Sequence, residues 1–286
     1  MKNLILPEDK FDYYPLSMGD VIRAKRKKQH LTGIVTQINP EQEDIIVELG
    51  HNIYGHMSFS NSTIYPFTYS SKAERNLPYQ IAPLLHKKIR VTVLSTTGGE
   101  IILSRKDVMS ETIKRLAKEL PSVQAQITCL RTDIAYLDVG CGIYGMLHLK
   151  DFCATKIHNF CDFIHKGQFI NVKLTGEKQD KFFASFKEIY RRYNPEEYPA
   201  GSQVYAIITD VTSGSNGAYY SIVTPQIRGI VNVSAKDKVP YYGQRVFCEV
   251  ISANDNFLRL RHIPMDPENE IFLQYDNFLE LPEMTS

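Results

Sequence analysis

The sequence has no tryptophan among its 286 residues. Any stacking surface must therefore come from its 17 tyrosines, 14 phenylalanines and 8 histidines. Cysteine is scarce, five in all and thinly spread. An odd, dispersed set argues against a disulfide framework and fits a reducing compartment. No apolar run approaches the ~18 residues of a membrane span. The start, Met1 to Asp9, has no apolar stretch long enough for a signal peptide and turns acidic at once. These absences lead to the expectation of a cytoplasmic protein with no membrane partner. Catalytic motifs are missing too: no Gly-rich phosphate loop, no HExxH and no nucleophile elbow. Gly98-Gly99 and the stretch Gly214 to Gly217 read as hairpin tips. The expectation is a protein that is not an enzyme and needs no cofactor.

Net charge is nearly absent as well, with 33 Lys and Arg against 32 Asp and Glu. The average hides a gradient. Residues 1–116 carry +4, 117–195 carry +3, 196–263 carry zero, and 264–286 carry −6. A mildly basic body is masked by a short acidic tail, so a polyanionic partner is not excluded.

What the chain does contain is repetition. Three places show a strand, a connection, a glycine and another strand: Ile45–Leu49 with Gly55, Ala135–Val139 with Gly145, and Ala218–Ile222 with Gly229. Each follows a strand-like stretch (Leu31–Ile38, Val123–Leu130, Val204–Val211). Each precedes an alternating segment (Ile89–Val93, Phe169–Leu174, Val246–Val250), then a short strand ending in a basic residue. Five period-2 strands recur three times, in about 70–90 residues each. That pattern predicts an all-β chain of three tandem five-stranded OB-fold barrels with short connecting helices. Glycine suits the sharp bends of a small barrel. The expected boundaries are 17–107 for barrel one, 108–120 for a linker helix and 121–190 for barrel two. A linker at 191–200, barrel three at 201–263 and an acidic tail at 264–286 complete the chain. The connection between strands three and four is longest in unit one, where a helical turn is expected around Lys72–Leu77 or Tyr79–Leu85.

These residues resemble the S1-type RNA-binding domain. The second unit matches best: Tyr136 stands at the family's surface aromatic, Gly145-Met146-Leu147-His148-Leu149 at its His motif, Gly167 before strand four, and Ala184-Ser185-Phe186-Lys187 at its end. The first unit matches at its ends, through Gly33-Ile34-Val35 and Leu103-Ser104-Arg105-Lys106, but has Ile46 at the aromatic and Ser58 at the His. The third keeps Tyr219 and puts Asn232 at the His position. The array looks like a shortened ribosomal S1-like chain. It also resembles the regulators called conserved virulence factor B, although the 23 residues after Ile263 are too few for that family's winged helix. The resemblance implies single-stranded RNA on the face of strands two, three and five, with mRNA or rRNA, and the small ribosomal subunit, as partners.

Residue chemistry reads the same way. Alternation along strand two turns Tyr136 outward, and His148 on strand three also points outward. An exposed Tyr beside an exposed His makes a platform for unpaired bases. Arg131, Lys150 and Lys187 are placed to meet phosphates. The plainer alternatives are an aromatic covering a neighbouring barrel and a satisfied surface histidine. In unit one, Arg23 to Lys28 is the densest basic run, and its Lys25, Arg26, Lys27 and Lys28 are expected to attract phosphates without stacking, with a solvated loop as the alternative. Arg105 joins the RNA-binding set at the family's terminal motif. Unit three offers Tyr219, Arg259 and Arg261, for weak RNA binding or for protein docking. Cys153, His158, Cys161 and His165 have a zinc-like spacing. The same segment also reads as the apolar face of a short helix, and no metal is expected. The tail, Asp266 to Glu283, mixes acids with Phe272, Tyr275 and Phe278, as an RNA mimic, a partner-binding segment or a partly ordered tail. The leading expectation is an RNA-binding factor in translation or RNA metabolism. The alternative is a protein-interaction scaffold whose barrels have largely lost RNA binding.

Overall fold

The computed structural model describes residues 5–69, 77–155, 157–190, 192–211, 217–234 and 238–264. The first strand set is β1 (Leu31–Asn39), β2 (Asp44–Gly50), β3 (Ile53–Ser58), β4 (Lys88–Ser95) and β5 (Ile102–Ser104). The second is β6 (Ser122–Leu130), β7 (Ile134–Asp138), β8 (Tyr144–His148), β9 (Phe169–Lys178) and β10 (Lys181–Ser185). The third is β11 (Gln203–Val211), β12 (Ala218–Thr224), β13 (Ile227–Asn232), β14 (Arg245–Asn254) and β15 (Phe257–His262). Each set closes into a barrel with one cyclic order, in which the last strand sits between the third and the fourth. The last strand pairs parallel to the third in all three; the other registers resolved are antiparallel. The three tandem five-stranded OB-like barrels expected from the sequence are the fold.

By packing, the chain divides into two compact units: Met1–Ala125 with Asp138–Tyr144 and Glu177–Asp180, and Gln126–Leu137 with Gly145–Gly176 and the remainder from Lys181. The first holds barrel one and, among the described residues, three α-helices: α1 (Met18–Lys27), α2 (Phe59–Ser62) and α3 (Lys106–Glu119). Helix α1 is the basic run that also read as a loop. Ser17 caps it: its Oγ accepts from the Asp20 amide while Asp20 accepts from the Ser17 amide, and Lys28 ends it in the left-handed region at φ 50°. Val21 and Ala24 enter the barrel core beside Val35, Ile45, Val47, Met57 and Leu103. Cations at 25–27 in the last turn complement the helix dipole, a local reason for their clustering.

The glycine shared by the repeats owes its place to close approach. A Cβ on Gly55 would lie 2.5 Å from Cδ1 of Leu103; one on Gly229 would lie 2.9 Å from Cδ1 of Leu260. In both, the core leucine of the last strand fills the space a side chain would need. Of the two places offered for a helical turn in the barrel-one connection, residues 72–76 lie outside the described set, and in the other Ala82–Leu84 forms a single 3-10 turn. The acidic tail and the Gly214 tip also lie outside it. Among the described residues no helix is long and apolar enough to cross a membrane.

The first unit also contains a buried charge cluster. Arg105 Nε and Nη2 lie 2.7 and 2.6 Å from Glu8 Oε1, and Nη1 donates to the Ser62 carbonyl at 2.5 Å. Asp138 accepts from the amides of Glu8, Gly140 and Gly142 at 2.8–2.9 Å. Leu6, Phe11, Val108 and Cys141 pack as a small apolar cluster of the same unit. The segment from Leu6 to Phe11 is thereby fastened by backbone, ion pair and apolar contact together.

Candidate nucleic-acid interface

The second unit carries the surface closest to the expected one. On β7, Ala135 and Leu137 are buried and Tyr136 stands out at 37% exposure. On β8, Gly145 and Leu147 face inward; Met146 and His148 are half-buried on the outside. Strand β10 pairs with β8 so that Phe183 lies opposite Met146. The Phe183 ring lies nearly parallel to that of His148, with centroids 6.4 Å apart. Beyond β8 the backbone turns into Leu149–Asp151, leaving a cleft of about 590 Å³. His148, Lys150 and Lys187 line it with Asp133, Cys153 and Thr155. Lys187 Nζ is held by the Lys150 carbonyl at 2.7 Å and lies 3.9 Å from Asp151. Lys150 is exposed, as is Arg131 in the turn before β7. The cleft thus joins an imidazole and two ammonium groups to an apolar floor that includes Ile157.

Barrel three repeats the outer face with one change of register. Tyr219, expected at the surface, is 7% exposed and packs in the core; Tyr220 is the outward residue, at 44%. Two adjacent tyrosines made the aromatic match ambiguous, and the matched Ala135-Tyr136 and Ala218-Tyr219 dipeptides favoured the wrong one. Tyr220 pairs with Ile230, which pairs with Arg259; Ala218 pairs with Asn232, which pairs with Arg261. Arg259 and Arg261 are exposed, and Arg261 donates to Glu249 at 2.5 Å. Strand alternation counted back from Gly229 would have chosen Tyr220.

Barrel one differs from the expectation of a face without aromatics. Tyr54, 47% exposed, and His56 project outward from β3 on either side of Gly55. They lie opposite Glu48 and Ile46. His56 Nδ1 is 2.8 Å from Asp44 Oδ2, and Tyr13 donates to Glu48. Acids therefore share this face. Of the basic run, Arg26, Lys27 and Lys28 are exposed, and Lys25 Nζ donates to Thr96 Oγ1 at 3.4 Å. The same Ile-Tyr-Gly triplet serves differently at Tyr144, which stacks on Tyr65 at 4.2 Å in the first unit.

Arg105 is a correction. At 4% exposure, with its guanidinium spent on Glu8 and Ser62, it offers nothing to a phosphate. An arginine at the end of a strand reads as surface unless its partner, 97 residues away, is known. The zinc-spaced residues are not brought together. Cys153 is buried and Cys161 exposed, while His158 faces Asp210 at 3.5 Å. Among the described residues, no group of three or more His, Cys, Asp or Glu is placed to hold a metal.

No protein-family model and no curated protein matches the chain. Solved structures do show a likeness. One is a multidomain protein with nucleic acid binding domains from Streptococcus pneumoniae TIGR4, at 12% identity and TM-score 0.27, over 86% of this chain and 79% of that one. A second is the a/eIF2alpha–aDim2p–rRNA complex from Pyrococcus horikoshii OT3, at 19% and 0.24, over 26% and 46%. A third is Drosophila Unr CSD456, at 9% and 0.23, over 84% and 98%.

Proposed function

We propose that this chain is a non-enzymatic protein that binds single-stranded RNA through S1-type barrels, acting on mRNA or at the ribosome in translation or RNA metabolism. One observation carries the reading: His148, Lys150 and Lys187 line a single cleft, next to a sheet face that exposes Tyr136 and presents Phe183 beside His148. Rings without a sequence-reading hydrogen-bond pattern suit any unpaired base, and the ammonium groups suit the backbone that connects the bases. Arg131, Lys150 and Lys187 would displace about three counterions, giving a log–log salt slope of roughly −2.

The test is fluorescence anisotropy of a short labelled RNA at low salt. Tyr136→Ala and His148→Ala are each expected to weaken binding by about 5- to 150-fold, the equivalent of ~1–3 kcal/mol per stacked base. Absence of wild-type binding would leave the protein-interaction scaffold in its place. For barrel one a specific observation favours that scaffold reading already: Asp44 and Glu48 share the face of Tyr54 and His56, so a phosphate chain is repelled where the rings would stack. Under the RNA-binding reading, the phosphate contacts of barrel one would fall instead to Arg26, Lys27 and Lys28 on and just after α1.

A further inference from the structure

The cleft of the second unit does not end on barrel two. Ala154, in its wall, donates its amide to the Pro225 carbonyl at 2.7 Å. Gln226 donates its side-chain amide to the carbonyl of Lys187, also at 2.7 Å. Pro225 and Gln226 are the turn between β12 and β13, so the tip of barrel three is bonded to two residues that line the cleft. A second set of contacts fastens the same neighbours: the His158 amide lies 3.3 Å from the Tyr242 hydroxyl, and the His158 ring lies 5.5 Å from that of Tyr242. Ile222, outward by register and two residues before the turn's threshold, is 1% exposed.

From that turn β13 leads away with Arg228, Ile230 and Asn232 on its outer side. Arg228 is exposed and donates through Nε to the neutral Asn256 carbonyl at 2.7 Å. Next along the strand comes the row Tyr220, Ile230, Arg259, about 7 Å further at ~3.3 Å per residue. Cations and an exposed ring thus continue from the cleft onto the next barrel.

From this we infer that barrels two and three form one composite site, in which a single RNA strand seated at His148, Lys150 and Lys187 continues past the β12–β13 turn onto Arg228, Tyr220 and Arg259. The inference rests on the RNA-binding reading above. It adds that the third barrel is an extension of the second barrel's site, not an independent one.

The experiment uses the full chain and two labelled oligouridylates, of about 5 and about 14 nucleotides, within the ~4–16 nucleotides an OB barrel covers. The variants are Arg228→Gln with Arg259→Gln, and Tyr220→Ala, all at exposed positions; circular dichroism checks that each keeps its fold. Both are expected to weaken the long oligomer about tenfold and to leave the short one within twofold, while Tyr136→Ala weakens both. If the variants bind the long oligomer as wild type does, the composite site is wrong and the RNA-binding reading stands. An equal loss on both lengths also overturns it, since the short strand would then sit on barrel three. If wild type binds neither oligomer, both readings fall.

Discussion

Replacing Arg105 by Met separates two roles that its position in the sequence confounds. The guanidinium sits between Glu8 and the Ser62 carbonyl, and both side chains of the ion pair are about 5% exposed. Methionine keeps most of the volume and removes the charge. The Glu8 carboxylate is then left buried without its cation, which costs about 3–5 kcal/mol. A chain of three barrels need not unfold in one step, so the assay must be local. Hydrogen exchange read by peptide mass spectrometry supplies that. Amides of β1–β5 are expected to exchange roughly two to three and a half powers of ten faster, with β11–β15 as the internal control. Adding Glu8→Leu removes the orphaned carboxylate, and the double variant should recover most of the loss. RNA affinity at native temperature should not change. A loss of protection under about 1 kcal/mol, or an equal loss in β11–β15, would refute the buried-pair account. A loss of RNA affinity with protection intact would restore Arg105 to the binding surface.

Other outcomes follow from the same geometry. Burial, and then the Glu8 carboxylate, push the Asp138 carboxyl up to about 6. A proton held more tightly in the folded state stabilises it below the unfolded value near 3.8, and that stability is lost as pH rises through about 6. The melting temperature of wild type relative to Asp138→Asn should therefore fall between about pH 4 and pH 6.5, and a constant difference would contradict it. Tyr219→Ala should cost about 3–5 kcal/mol in a thermal melt as a core deletion, while Tyr220→Ala costs under 1; the reverse order would restore the register read from sequence. Gly55→Ala should cost about 1–3 kcal/mol, because its Cβ meets Leu103; an unchanged melt would mean the strands can part. Native thiol titration should find Cys129 and Cys161 fast. Cys141, Cys153 and Cys248, buried and pushed up to about 12, 11 and 12, should react only on unfolding; three fast thiols would count against the packing.

The barrels were legible because their evidence is local and repeated. Alternation within five residues fixes which side of a strand is buried, and three copies in order exclude coincidence. The outward orientation of Tyr136 and His148 was legible for the same reason, each being flanked by apolar neighbours of opposite parity. The failures arose where parity was ambiguous or partners were remote. Adjacent tyrosines at 219 and 220 satisfy the same composition with opposite orientation. Tyr54 and His56 went unseen because the face of barrel one was judged at Ile46 and Ser58 alone. The cluster at 25–28 carries a helix signal, Ser17 three residues before Asp20, but dense charge hid the apolar stripe of Val21 and Ala24. Arg105 and the Gln226 contact with Lys187 depend on pairs 97 and 39 residues apart, and no local pattern encodes them.

The bond from the Glu8 amide to Asp138 spans 130 residues. During synthesis at ~5–20 residues per second, Glu8 is made about 6–26 s before its acceptor. All five strands of barrel one are complete by Ser104, so that barrel can close first. Arg105 arrives next and can take the Glu8 side chain, which holds the Leu6–Phe11 segment to barrel one. The backbone bond follows only when the β7–β8 loop appears. The segment that carries Glu8 is thus secured in two stages, first through its side chain and later through its backbone.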